Sequence, residues 1–183
     1  MDKPARLSLS WCALAALAVA CSPRAPAPSS SPTPSPGPGG HGPYLHIVGK
    51  GTAKQPVRFV SQVGNRRQYV LVAHSYESVG KQGSSVTTAF DAHVVFYGKH
   101  GERLTADSAR AIADETTNTI TLVGNVKARS ASKMTLDCDT LRYDRSTEMI
   151  HGEGHVVMTD AHGMRATGNS VDTDITLTRA KMQ

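Results

Sequence analysis

Residues 120–144 read ITLVGNVKARSASKMTLDCDTLRYD, and they form the middle copy of a pattern that occurs three times between residues 90 and 174. The tetrapeptide Leu-Thr-Ala-Asp at 104–107 returns as Met-Thr-Leu-Asp at 134–137 and as Met-Arg-Ala-Thr at 164–167. Each copy reaches an aspartate, at Asp114, Asp144 and Asp174, so the repeat length is 30 residues. A repeat of this length is one supersecondary unit, and such units bury their apolar faces against their neighbours.

Apolar and polar residues alternate within each copy. Ile120, Leu122 and Val126 fall on even positions, with Thr121 and Asn125 between them. This period of two is typical of a strand with one dry face and one wet face, not of a helix. The phase changes near residues 138–139 and again between 106 and 111, which predicts a β-bulge in each copy. Turn-forming residues separate the strands, so the repeats predict an antiparallel meander of strand pairs with an apolar inside.

The segments that flank the repeats are interpreted by the same rules. Residues 44–48 and 57–62 are short apolar pieces, and residues 69–76, YVLVAHSY, are predicted to form a strand. Residues 79–85 are glycine-rich and are predicted to form a loop. Ile175 and Leu177 restart the alternation near the end of the chain, which predicts a last strand with an exposed edge.

The composition limits the classes of function. The chain has 183 residues and a formal net charge of +5, but it has no run of basic residues with interleaved aromatics, so nucleic-acid binding is not predicted. Several inward positions carry small residues: Ala106, Gly124, Gly154, Ala166 and Gly168. Small residues there leave room either for close approach of two layers of sheet or for a ligand.

The first 43 residues are typical of an exported lipoprotein. Residues 1–20 have a basic start and a short apolar run, as a signal peptide does, and they end in small residues before Cys21. This resembles a bacterial lipobox, so Cys21 is predicted to be acylated and to attach the protein to a membrane; a plain secretory signal is the alternative. Residues 21–43 are rich in Pro, Ser and Gly and are predicted to be a disordered linker to a folded domain at 44–183.

No residue pattern indicates catalysis. His151 and His155 lie too far apart on one strand face to share a metal ion, and Asp137 and Asp139 fit a solvated strand face. Cys138 is a lone thiol on the apolar face. We therefore predict a protein that is not an enzyme and that holds no metal or cofactor.

The repeats resemble a known family. LTADSA at 104–109, ITLVGNV at 120–126, LRYD at 141–144, GHVV at 154–157 and GMRATG at 163–168 are similar to the LptC/LptA (OstA-type) lipopolysaccharide transport family, and most similar to LptC. The resemblance extends over residues 69–182 and implies an open, twisted antiparallel β-jellyroll whose inner groove binds the acyl chains of lipid A. It also implies edge-strand pairing with an LptA-like periplasmic bridge protein, and lipopolysaccharide supply from an inner-membrane ABC transporter.

The resemblance implies a lipid-binding set on the inward positions of the strands. Those residues are Phe90, Val94, Phe96, Leu104, Ala106, Ile120, Leu122, Val126, Met134, Leu136, Leu141, Tyr143, Val156, Met158 and Ala166. Enteric LptC has a transmembrane anchor, whereas this chain has a sequence before Cys21 that resembles a lipobox. The enteric sorting rule applied to Ser22 favours the outer membrane, whereas the resemblance favours the inner one. The alternative function is a scaffolding envelope lipoprotein with a packed β-core and no lipid transport.

Overall fold

The computed structural model describes residues 44–183 apart from Gln82, and its secondary structure is entirely strand. The predicted signal peptide, Cys21 and the linker lie outside the described residues. The strands are β1 Leu45–Lys50, β2 Val57–Val63, β3 Arg66–Ala73, β4 Ser75–Lys81, β5 Ser84–Tyr97, β6 Arg103–Asp114, β7 Thr119–Ser130, β8 Thr135–Asp144, β9 Met149–Thr159, β10 Arg165–Asp174 and β11 Lys181–Met182. Among these residues, no helix is long and apolar enough to cross a membrane. The all-β prediction is confirmed.

The strands form one antiparallel sheet that does not close into a barrel. From β4 to β11 each strand pairs with the next, and β1 pairs with β4. β5 is long enough to pair with β4 along its first half and with β3 along its second half, and β2 extends the sheet beyond β3. The predicted open meander of strand pairs is therefore confirmed, with a branched start.

β-Bulges interrupt four successive strand pairs. The register shifts between Asp107 and Arg110, between Val123 and Val126, between Asp137 and Thr140, and in β10 between residues 168 and 170. The predicted bulges near 138–139 and between 106 and 111 are confirmed. A bulge bends its strand and strengthens the local twist, so each long strand has two differently oriented halves.

The bends fold the sheet over onto itself. Phe96 in β5 and Tyr143 in β8 have ring centroids 4.5 Å apart. Strands three places apart in a flat sheet lie about 14 Å from each other, so this contact requires the two regions to face one another. The apolar inside of the meander is the space between these facing regions.

The three aspartates that end the repeats hold the turns. The carboxylate of Asp114 accepts a hydrogen bond from Thr116 N at 2.8 Å, and Asp144 accepts one from Ser146 N at 2.8 Å. Asp174 accepts one from Thr176 N at 3.1 Å. These bonds satisfy backbone donors in the turns, which explains the aspartates' 30-residue spacing.

The structure corrects two predictions outside the repeats. Residues 79–85 are not a loop, because Gly80 pairs with Ser85 in a tight hairpin between β4 and β5. Gly80 is needed there, since a Cβ atom would lie 2.6 Å from the carbonyl oxygen of Ser84. The alternation at Ile175 and Leu177 does not form a strand either. Both residues lie in the turn that Asp174 caps, and their side chains are buried. The last strand is only Lys181–Met182.

A smaller difference concerns β3 and β4. The predicted strand at 69–76 is interrupted at His74, whose N–H donates to Phe90 O at 3.0 Å, so β3 ends at Ala73 and β4 begins at Ser75. The short apolar pieces at 44–48 and 57–62 correspond to β1 and β2.

Candidate functional site

The interior between the facing regions contains most of the residues predicted to bind lipid. Twelve of the fifteen belong to one apolar cluster, and each is at most 5% exposed. They are Val94, Phe96, Leu104, Ala106, Ile120, Leu122, Val126, Leu136, Leu141, Tyr143, Val156 and Met158. The alternation in the sequence thus places them on one side of the sheet.

Phe90 was expected to point inward, and this is wrong. It is 39% exposed, whereas Ala89, Ala92 and Val94 are buried. The buried positions change from odd to even at Asp91, whose φ is +52°, so Phe90 falls on the outer side. In β7 and β9 the buried positions stay even on both sides of Gly124 and Gly154, where φ is also positive, so the corresponding residues Ile120 and Ile150 are buried.

The interior opens at one end through a cavity of about 440 Å³ that we call the methionine mouth. Its lining residues are Met134, Met158, Asp160, Met164, Arg165, Ala166, Ala180 and Met182. Three of these, Met134, Met158 and Ala166, belong to the predicted lipid-binding set. Met134 is partly buried and Ala166 is exposed, because β11 pairs only with residues 171–172 and leaves the first half of β10 uncovered. Methionine side chains adapt to irregular apolar ligands.

A second cavity of about 330 Å³ lies beneath the β2–β3 hairpin. Phe59, Tyr69 and Leu71 supply its apolar lining, and Glu115 and Arg145 also line it. Burial raises the pKa of the Tyr69 hydroxyl. Sequence reasoning missed this cavity because it named no site residue before Phe90. The alternation of Phe59 with its neighbours in β2 was the available signal.

Arg145 is held at the edge of this second cavity by the neighbouring turn. Its Nη2 donates to Asn118 Oδ1 at 3.0 Å and to Asp114 O at 3.3 Å. Its Nε is buried and has no hydrogen-bond partner among the described residues.

The facing regions are in contact where the rings of Phe96 and Tyr143 meet. A Cβ atom at Gly152 would lie 3.0 Å from Val171 Cγ1, so this glycine permits close packing of β9 against the neighbouring strand β10. Burial raises the pKa of the Cys138 thiol to about 12, and this side chain is therefore neutral at physiological pH. The centre of the interior is packed, and its ends are open.

The histidines singled out in the sequence pair with carboxylates on the outer face. His151 contacts Asp172 at 2.6 Å and Glu153 at 2.9 Å, and His155 contacts Asp139 at 2.7 Å. Within the part of the chain that the structure describes, no group of three or more His, Cys, Asp or Glu side chains is arranged to hold a metal ion.

The two ends of the sheet carry free strand edges. Among the described residues β1 pairs only with β4, and it exposes Leu45, Ile47 and Val48. At the other end, residues 165–168 of β10 pair with β9 and have no ladder partner on their other side among the described residues. Free edges of this kind can accept a strand from another protein.

Comparison with known families identifies the fold. A family model described as "Lipopolysaccharide-assembly, LptC-related" matches residues 51–182, which include both cavities and all the repeats. No curated protein sequence matched the chain. The family comprises non-enzymatic components of lipopolysaccharide transport that are periplasmic and associated with the inner membrane. Since the match covers most of the chain and agrees with the open antiparallel sheet, this protein belongs to the LptC family.

Proposed function

We propose that the protein binds lipopolysaccharide and shields its acyl chains between the facing regions of the sheet. On this proposal it receives lipopolysaccharide from an inner-membrane ABC transporter and passes it to the periplasmic bridge. The observation that carries the proposal is a continuous apolar interior that reaches solvent at the methionine mouth and beneath the β2–β3 hairpin. Transfer of an acyl chain from water into such an interior gains about 0.8 kcal/mol per methylene.

The free strand edges support a role in a chain of proteins. The β1 edge, with its exposed apolar side chains, and the β10 edge at residues 165–168 lie at opposite ends of the strand order. We propose that one edge pairs with a transporter subunit and the other with an LptA-like bridge protein. Main-chain hydrogen bonds across such a junction would align neighbouring interiors.

Acylation of Cys21 would hold the domain near a membrane. We include this lipid anchor in the proposal. Mass spectrometry of the mature N-terminus tests whether Cys21 is acylated. Membrane fractionation of the wild type and of Cys21→Ala then shows which membrane holds the protein. Inner-membrane attachment that depends on Cys21 is expected from the family, despite Ser22.

The proposal is tested by site-specific photocrosslinking in the native envelope. Crosslinkers are placed at Leu122, which is buried, at Ala166 in the methionine mouth, and at Thr121, which lies on the outer side beside Leu122. Lipopolysaccharide adducts are expected at Leu122 and Ala166 but not at Thr121. Thr121 is the matched control, because it neighbours Leu122 on the same strand but its side chain lies on the outer side of the sheet.

A scaffolding lipoprotein is the second candidate, and the packed centre of the interior favours it. That function predicts that the two layers never separate. Absence of adducts at both Leu122 and Ala166, in protein shown to be folded and exported, would support the scaffold and contradict lipid transport.

A further inference from the structure

The cavity beneath the β2–β3 hairpin combines an apolar lining with one arginine. Its volume is about 330 Å³, and we call it the hairpin cavity; its lining includes Phe59, Tyr69, Leu71 and Arg145. Leu71 belongs to the buried apolar cluster, and Phe59 and Tyr69 pack against that cluster. The cavity therefore lies on the apolar side of the sheet, where a charged side chain is unusual.

The repeat shows how an arginine comes to lie there. Arg145 directly follows the aspartate that ends the second copy, and the corresponding residues are Glu115 in the first copy and Ile175 in the third. Ile175 is 4% exposed, so in the third copy this position is part of the interior. In the second copy the same position carries a guanidinium, and that side chain is partly buried.

Arg145 has no carboxylate partner. None of the six ion pairs found among the described residues includes it. Its guanidinium donates through Nη2 to two uncharged acceptors, Asn118 Oδ1 and Asp114 O, while its buried Nε has no hydrogen-bond partner in the described part of the chain. A partly buried charge without a counter-ion costs free energy that an anion placed against it would offset. This is the observation that points to an anionic ligand.

The other polar groups of the cavity complete a site for one negative charge. Glu115 is engaged elsewhere, because its Oε2 accepts hydrogen bonds from Ser85 Oγ at 2.8 Å and from Ser85 N at 3.3 Å. Burial raises the pKa of the Tyr69 hydroxyl, and Arg145 and Glu115 shift that pKa in opposite directions, so both charges lie near the hydroxyl. A neutral hydroxyl beside a guanidinium can donate a second hydrogen bond to a bound carboxylate.

We propose that the hairpin cavity binds a fatty acid with a single alkyl chain. The carboxylate accepts hydrogen bonds from Arg145 and Tyr69, and the alkyl chain packs against Phe59 and Leu71. The volume is near the lower end of the range for ligand pockets, about 300–1,000 Å³, which suits one chain and not a lipid with several. A guanidinium matches a carboxylate in charge and geometry, whereas a phosphate monoester carries a charge of about −1.5 to −2 that Glu115 opposes. This binding does not depend on lipopolysaccharide transport.

The test measures the Kd of the full chain for decanoate and for decanol by isothermal titration calorimetry, below the concentrations at which micelles form. The two ligands share the ten-carbon chain and differ in the charged head. Arg145→Gln removes the cation, and Tyr69→Phe removes the hydroxyl but keeps the ring. The control variants are Arg142→Gln, at an exposed position of β8, and Arg165→Gln, in the methionine mouth.

Wild-type protein is expected to bind decanoate about tenfold more tightly than decanol, because only decanoate bonds to the guanidinium as an anion. Arg145→Gln is expected to raise the Kd for decanoate about tenfold and to leave the Kd for decanol near its wild-type value. Tyr69→Phe is expected to weaken decanoate binding by a smaller factor, and both control variants are expected to match the wild type. The comparison with decanol separates recognition of the carboxylate from a structural role, since a collapsed cavity would lose both ligands equally.

Several outcomes would overturn the proposal. They are no binding of decanoate by the wild type, equal Kd values for decanoate and decanol, and an equal loss of both ligands in Arg145→Gln. A loss in Arg165→Gln alone would place the ligand in the methionine mouth, and tighter binding of decyl phosphate than of decanoate would make the site one for phosphate. If Arg145→Gln does not fold, an unchanged Kd for decanoate in Tyr69→Phe contradicts the proposal and a raised one supports it. The test uses no lipopolysaccharide, so its failure is distinct from failure of the photocrosslinking.

Discussion

The ion pair between Arg66 and Glu148 joins two parts of the sheet that are 82 residues apart in sequence. Arg66 Nη1 donates to Glu148 Oε1 at 2.6 Å, and Lys99 N donates to Glu148 Oε2 at 3.2 Å. Arg66 begins β3, and Glu148 ends the turn before β9. The pair therefore holds the branched start of the sheet against its later strands.

The expected energy follows from the exposure of the two side chains. Hydrogen bonds to charged groups contribute about 1.5–3 kcal/mol when shielded, and exposed ion pairs contribute about 0–1 kcal/mol. The Glu148 side chain is 14% exposed and the Arg66 side chain is 36% exposed, so the pair lies between these cases. We expect a coupling free energy of about 1 kcal/mol, and a loss of about 1–2 kcal/mol for Glu148→Gln alone.

A double-mutant cycle with Arg66→Gln and Glu148→Gln, measured by urea unfolding, isolates the coupling. Glutamine keeps the length of the Glu148 side chain, whose backbone φ is +59°. The control is the exposed pair of His46 and Glu77, whose side chains are 57% and 46% exposed and whose coupling is expected below about 0.5 kcal/mol. A coupling for Arg66 and Glu148 no larger than that of the control would refute the claim that this contact holds the branched start of the sheet against its later strands.

Three further predictions concern single positions. Gly154→Ala is expected to lower the free energy of unfolding by about 2–4 kcal/mol in urea unfolding, and Gly124→Ala by about 1–2 kcal/mol. Both glycines have a positive φ, which disfavours alanine. The cost is larger at Gly154 because only its Cβ atom would collide with a neighbouring carboxylate, that of Asp139. Cys138, with its pKa raised to about 12 by burial, is expected to resist thiol reagents in the native protein and to react fully in urea. Asp172 raises the pKa of His151, so the stabilisation is complete below the unfolded-state pKa and is lost as pH rises through the folded-state value. His151→Gln should therefore cost more stability in acidic than in alkaline buffer, and an equal cost at both would contradict this account.

Local patterns were sufficient to predict the repeated part of the fold. The alternation of apolar and polar residues changes phase near 138–139 and between 106 and 111, and the structure has bulges at both places. The change of the buried side at Asp91 is not marked by a glycine, so Phe90 was assigned to the wrong side of β5. A glycine-rich segment can form either a loop or a tight hairpin. Gly80 lies in a hairpin, where the missing side chain lets the backbones of the two strands approach closely.

The cavities could be predicted only in part, because they depend on which strands lack a neighbour. Alternation placed Met158 on the inward side, but the uncovered half of β10, which leaves Ala166 exposed, is a property of the whole sheet. The cavity beneath the β2–β3 hairpin depends on β5 pairing with two strands at once, a branch that no local pattern indicates.

The packed centre of the interior sets an energetic condition on lipid transport. On the proposed function, acyl chains can pass through the interior only if the facing regions separate at contacts such as that between Phe96 and Tyr143. Separation exchanges apolar protein contacts for apolar lipid contacts, so its cost in hydrophobic free energy is small once lipid is present, while ten methylenes leaving water gain about 8 kcal/mol. The polar contacts that join the layers have no such replacement. If the protein binds lipid as proposed, the Arg66–Glu148 pair, at about 1 kcal/mol, is weak enough for a bound lipid to break.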